Sequence, residues 1–204
     1  MIKLYAGAAV AVVAALIGGS AYWVYSNQSS DPFAQCRAGQ VAGGAIGGPF
    51  TLVNQKGETV TDADVITKPS LVYFGYTFCP DVCPLDNTRN AEAVDILEEM
   101  GIDATPVFIT IDPKRDTTEV MAEYAEIMHP KMIALTGSEE QVKAASLAYK
   151  TYFKAQPAED EYYLVDHSTF TYLMLPGTGF AEFFKREVTP DEMAASVACF
   201  VAAR

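Results

Sequence analysis

The chain has 204 residues, half of them hydrophobic, and its 26 acidic against 14 basic side chains give a formal charge of −12 at neutral pH. That length implies one globular domain with an appendage rather than two domains. The acidity argues against a nucleic-acid-binding role and favours a partner that presents a basic patch.

The appendage comes first. No charged residue occurs from Leu4 to Tyr25, and the run from Ala6 to Ala21 is mostly Ala, Val, Leu, Ile and Gly. A membrane-spanning helix needs about 20 such residues. Tyr22, Trp23 and Tyr25 cluster at its end, where amphipathic rings favour the membrane interface. Lys3, the only charge before it, favours an N-in, C-out orientation. The competing reading is a cleaved signal peptide, with Gly18-Gly19-Ser20-Ala21 as the small residues. The apolar stretch exceeds the roughly 7–15 residues of a signal core, so residues 1–25 are expected to be an uncleaved anchor. Under either reading the rest of the chain is exported.

Four cysteines in an exported domain raise the question of disulfides. Cys79 and Cys83 form a close pair; Cys36 and Cys199 lie toward the two ends. A structural bridge between the ends is the plainer reading of Cys36 and Cys199, and a second redox or metal pair the sharper one. Spacing does not fix connectivity.

Residues 26–48 read as a linker, holding Ser29-Ser30-Asp31-Pro32 and Gly43-Gly44-Ala45-Ile46-Gly47-Gly48, with little apolar surface to bury. The domain is expected over 49–204. Phe50–Val53 and Glu58–Val60 around Asn54-Gln55-Lys56-Gly57 predict a hairpin. Leu71–Tyr76 is a near-continuous apolar strand, as when both faces are covered. Leu85, Thr88, Ala91, Val94, Leu97 and Met100 predict a helix over 85–100, ended by Gly101. Pro106–Ile111 is a second buried strand, and the capping-box spacing Asp116…Glu119 opens a helix to about Met128. A short strand over 132–135 follows, then a helix from Ser138-Glu139-Glu140-Gln141 to about Tyr152. Residues 162–165 and 169–175 are strand-like. Pro176-Gly177-Thr178-Gly179 turns the chain into Phe180–Phe184, and Thr189-Pro190-Asp191-Glu192 caps a last helix ending near Val201. The order β-α-β-α-β-α-β-β-α predicts an α/β fold with a central sheet, flanking helices and a closing antiparallel hairpin.

The most restrictive feature is Thr77-Phe78-Cys79-Pro80-Asp81-Val82-Cys83-Pro84, directly after the strand over 71–76. Open α/β sheets place their sites at the carboxyl ends of such strands. Two thiols there suit redox exchange, a soft metal, or both. Pro84 makes Cys83 a natural N-cap, where the positive helix end would lower its pKa. The spacing neither excludes a Cys79–Cys83 disulfide nor matches the tighter C-x-x-C of a dedicated oxidoreductase. A soft metal needs a third donor. His129, in Met128-His129-Pro130, reads as a helix-end or surface residue; His167, in Val165-Asp166-His167-Ser168, borders the strand-rich C-terminal half. Two thiolates and an imidazole suit copper, Cu(I) above all, whereas zinc would want a fourth ligand. Met121, Met128, Met132 and Met174 read as core filler.

Three motifs together, Thr77–Pro84, Ile111-Asp112-Pro113-Lys114-Arg115-Asp116 and Val165-Asp166-His167-Ser168, resemble the SCO/SenC family. The resemblance extends over about residues 46–203. It implies a thioredoxin-like, membrane-anchored copper protein of cytochrome c oxidase assembly, with Cys79, Cys83 and His167 as the copper ligands. Asp112 and Asp116 lie near that site in the family, although as residues they read as a strand end and a helix cap. The implied function is a metallochaperone delivering copper to the CuA site of cytochrome c oxidase subunit II. Other copper chaperones or thioredoxin-like proteins are further implied partners. The implied location is the inner membrane, single-pass, with the domain in the periplasm, or in the mitochondrial intermembrane space of a eukaryote. The alternatives are a thiol–disulfide oxidoreductase using Cys79 and Cys83 on the oxidase subunit's cysteines, and a redox or copper sensor.

Overall fold

The structure, a computed structural model, describes residues 13–20, 22–23, 32–37, 45–158 and 162–204. The chain divides into two compact units, Met1–Gln35 and Cys36–Arg204. In the first, residues 13–20 and 22–23 are helical, with Leu16, Ile17 and Trp23 exposed. Most of the expected anchor and linker lies outside the described residues. Among the described residues no helix is long and apolar enough to cross a membrane.

The second unit is an α/β domain built on a seven-stranded sheet. Its strands are β1 Thr51–Asn54, β2 Thr59–Thr61, β3 Ser70–Gly75, β4 Thr105–Thr110, β5 Ile133–Thr136, β8 Thr171–Leu175 and β9 Gly179–Phe184. The spatial order is β2-β1-β5-β4-β3-β8-β9. β3, β4 and β5 run parallel, while β1 joins β5 and β8 joins β3 antiparallel, so the sheet is mixed. A separate ribbon pairs β6 Phe153–Ala155 with β7 Val165–His167. The helices are α1 Asp62–Val65, α2 Val82–Glu99, α3 Thr118–Met128, α4 Glu139–Ala148 and α5 Pro190–Ala202.

The apolar runs decide the middle of the sheet. Every residue of β3 and of β4 is buried, so both strands are covered on both faces. Capping boxes start two helices where the sequence places them, at Ser138 with Gln141 and at Thr189 with Glu192. Before α3 the cap is Thr117, whose side chain accepts from the Val120 N–H. Asp116 is not the cap: it is fully buried and taken up by other donors.

Helix α2 departs most from its expected form. It starts at Val82 with Asp81 as N-cap, so Cys83 lies inside the first turn rather than capping it. Pro84 is accommodated because first-turn N–H groups have no intrahelical acceptor. Leu85 and Met100, assigned to the buried stripe, are 60% and 51% exposed. The inner face of the first half is polar instead, formed by Asp86, Asn87, Arg89 and Asn90. Helix α4 ends at Ala148, short of Tyr152, because Tyr149 caps it and Lys150 takes a left-handed conformation at φ 55°. Met121, Met132 and Met174 are buried core residues. Cys36 and Cys199 form a disulfide with Cα atoms 5.6 Å apart.

Candidate metal centre

Cys79, Cys83 and His167 converge beyond the carboxyl end of β3. Their donor atoms all lie within 4.8 Å of one another. Both cysteines are free thiols. His167 Nε2 is 3.3 Å from Cys83 Sγ.

Each ligand is placed by a different element. Cys83 sits in the first turn of α2 and is fully buried. Gly75 permits this approach: a Cβ there would lie 3.0 Å from Cys83 Sγ and 2.9 Å from ring carbons of Tyr73 and Phe108. Cys79 belongs to the preceding loop and is slightly exposed, at 8%. Its sulfur accepts the Cys83 backbone N–H at 3.4 Å. His167 closes β7, directly opposite Phe153 of β6. Strand β6, unforeseen because three residues ending in Lys154-Ala155 carry no alternation, is thus the strand that pairs with the histidine.

The histidine tautomer follows from its neighbours. Nδ1 lies 2.9 Å from the Ser168 carbonyl oxygen, which can only accept, so Nδ1 carries the proton. The Nε2 lone pair is left facing the thiols. Asp166 does not orient the ring; it accepts from the Gln156 side-chain amide at 2.8 Å. Tyr73 and Tyr76 meet the imidazole edge-on at centroid distances of 6.2 and 5.9 Å. Burial lowers the His167 pKa below 6.5, outweighing the Ser168 carbonyl and nearby carboxylates that act to raise it. The shift favours the neutral ring.

The two thiols differ in kind. Burial raises the Cys83 pKa well above 9.0. Burial also acts to raise that of Cys79, but the backbone N–H groups of Asp81, Cys83 and Val82 and the Cys83 thiol bring it below 9.0. The electropositive helix start thus serves Cys79, outside the helix, and not Cys83, which reverses the expected assignment. Deeper in, Tyr73 Oη donates to Asp86 at 2.9 Å, and Arg186 approaches the same carboxylate at 3.3 Å.

The aspartates of the second motif act from one side. Asp116 accepts from Thr77 N–H at 3.1 Å, Thr77 Oγ1 at 2.5 Å and Thr110 Oγ1 at 2.5 Å, which fixes the start of the cysteine loop. Asp112 accepts from Tyr163 Oη at 2.7 Å and from Arg115 Nε at 2.5 Å. His129 stays apart from the centre; it is buried, not superficial, and pairs with Asp95 at 3.1 Å.

Fold and cluster define the class: a thioredoxin-like α/β domain carrying a soft-metal triad at the ends of its strands. A family model described as SCO1/SenC matches residues 38–202. The chain is 54% identical over 200 residues to Protein SenC of Rhodobacter capsulatus, covering 98% of this chain and 90% of that protein. It is 43% identical over 150 residues to Protein SCO1 homolog 1, mitochondrial, of Arabidopsis thaliana, covering 73% of this chain and 45% of that protein. Among solved structures, Arabidopsis thaliana ScoI with copper bound matches with a TM-score of 0.74 and 41% identity, over 78% of this chain and 99% of that one. The chain belongs to the SCO1/SenC family.

Proposed function

We propose that this chain is a copper metallochaperone that binds the ion through Cys79 Sγ, Cys83 Sγ and His167 Nε2 and delivers it to the CuA site of cytochrome c oxidase subunit II. The observation that carries the reading is the convergence of two free thiols and one imidazole within 4.8 Å. Soft thiolates select Cu(I), and three donors satisfy it without a fourth. Binding to the two thiols displaces their two protons, and Cys83 gives up its own only because the metal competes for the sulfur. With the His167 pKa below 6.5, protons compete for Nε2 only under more acidic conditions. The slight exposure of Cys79 leaves an opening through which a receiving ligand can attack.

Residues 1–25 would tether the domain to the inner membrane, residues 26–48 would act as linker and 49–204 as the copper domain on the exported side. The support is the uncharged run Leu4–Tyr25. Tethering would confine the search for oxidase subunit II to the membrane plane.

The unequal thiols favour a second reading, reduction of a target disulfide. Cys79 thiolate would attack one target sulfur, and Cys83 would then attack the mixed disulfide. Two electrons pass to the target, and a Cys79–Cys83 disulfide remains.

Copper titration of the exported domain separates the two. His167→Ala is expected to weaken copper binding sharply and to change its sulfur-to-Cu(II) charge-transfer absorption while leaving the pair oxidisable. Unchanged affinity and absorption in that variant would remove the three-ligand site.

A further inference from the structure

The Arg115 guanidinium touches both halves of the centre. Its Cζ lies 3.7 Å from the Tyr163 ring centroid, 5.0 Å from Phe78 and 5.6 Å from Tyr76. Phe78 immediately precedes Cys79, and Tyr163 leads into β7, which ends on His167. Asp112 completes the arrangement by accepting from Arg115 Nε and Tyr163 Oη together. The Arg115 and Asp112 side chains are only 14% and 5% exposed, so the ion pair is largely shielded from water, while the Phe78 ring is 50% exposed.

A second tie runs alongside. Tyr76 Oη accepts from the Val165 N–H at 3.3 Å, and the Tyr76 ring also meets His167. The ribbon carrying His167 is only two three-residue strands. A two-stranded ribbon of that size is marginal by itself. Its position over the thiols must come from contacts outside it; Val165 packs into the core, and Arg115 with Asp112 supplies a polar set at Tyr163.

We propose that Arg115, held by Asp112, is a positioning residue that clamps the β6–β7 ribbon against the cysteine loop and so sets how readily the imidazole leaves the metal. The guanidinium face holds Tyr163 from the histidine side and Phe78 from the cysteine side. Releasing it frees the ribbon to swing away with His167, leaving two thiolates and an ion open to transfer. This rests on the three-ligand copper reading, but its structural half can be read without metal.

The test uses Arg115→Gln and the milder Tyr163→Leu, a change at a partly exposed position. In the metal-free protein, amide hydrogen exchange is followed at Val165 and His167, with Leu71–Phe74 of β3 as internal reference. Both variants are expected to speed exchange in β7 about tenfold, as for loss of one partly shielded cation–ring contact, with β3 unchanged. In the Cu(I) form, loss of the ion to a chelator is expected to accelerate about tenfold on the same basis. The effect on copper loss should vanish when His167→Ala is already present, because a residue acting through the imidazole has nothing left to position. Unaltered β7 exchange in both variants would overturn the clamp. So would copper loss that accelerates equally in the His167→Ala background. Failure of the wild-type domain to bind copper would instead sink the chaperone reading, and the exchange data would still judge the clamp.

Discussion

Cys79 and Cys83 are chemically unlike although only three residues separate them. Backbone N–H groups at the start of α2 stabilise an anion at Cys79, while burial keeps Cys83 protonated. Raising the pH through the depressed Cys79 value should produce one reactive thiolate while Cys83 remains a thiol. Iodoacetamide at pH 8, followed by peptide mapping, is expected to label Cys79 at least about tenfold faster than Cys83, because alkylation requires the thiolate. Equal labelling rates would contradict the asymmetry. The triad itself was readable in the sequence because Cys79, Cys83 and His167 are rare residue types within recognisable motifs. The roles around it were not. Nothing in Asp166-His167-Ser168 reveals that the Ser168 carbonyl, and not the Asp166 carboxylate, fixes the tautomer. Asp116 has a helix cap's spacing yet spends its oxygens on Thr77 and Thr110. Such partners are 39 and 6 residues away along the chain, and only the fold brings them together.

At the level of elements, α2 shows why periodicity read correctly in one half of a helix and failed in the other. Its second half buries Ala91, Val94 and Leu97 as an apolar stripe. Its first half buries Asp86, Asn87, Arg89 and Asn90, which a hydrophobic pattern scores as surface. Arg89 explains how those groups are tolerated. Its guanidinium donates to the Lys185 carbonyl and to Thr171 Oγ1, each at 2.9 Å, and lies 3.9 Å from Asp86. It thus ties the helix that carries Cys83 to β8 and to the loop before α5. Buried polar groups of this kind are stable only while paired. Arg89→Leu should strand the Asp86 carboxylate beside one remaining cation, Arg186, and leave the Lys185 carbonyl without this donor. The expected cost is about 3 kcal/mol in urea unfolding, the range for removing one partner of a buried ion pair. A change below about 0.5 kcal/mol, the size usual for a surface substitution, would show that the network is dispensable. Strand β6 escaped notice, and β7 lies at Val165–His167 rather than over 162–165, for a related reason: strands of three residues are too short to show a period.

Across the whole domain, the metal centre and the disulfide occupy opposite ends of the sheet. The centre lies beyond the carboxyl end of β3. Antiparallel β8 starts near that end, pairing Thr171 with Tyr73, and runs to the other, pairing Met174 with Ser70. The turn that follows β8 receives Arg204, whose side chain donates to the Pro176 carbonyl at 2.6 Å. Cys199, one turn before the end of α5, therefore belongs to the end remote from Cys79 and Cys83. The two cysteine pairs can then differ in redox state without mixing partners. Cys36–Cys199 closes a sequence separation of 163 residues, and a loop of that size restricts the unfolded chain strongly. On the chain-entropy view, the double change Cys36→Ser and Cys199→Ser should lower unfolding stability by about 2–5 kcal/mol. Distant sites without shared partners act additively, so copper affinity and the oxidisability of Cys79 and Cys83 should stay at wild-type values. Denaturant melts and copper titrations of the same variant measure both halves. Copper affinity that fell together with stability would mean that the ends of the domain are coupled, and the bridge would then be part of the metal-handling machinery rather than a remote staple.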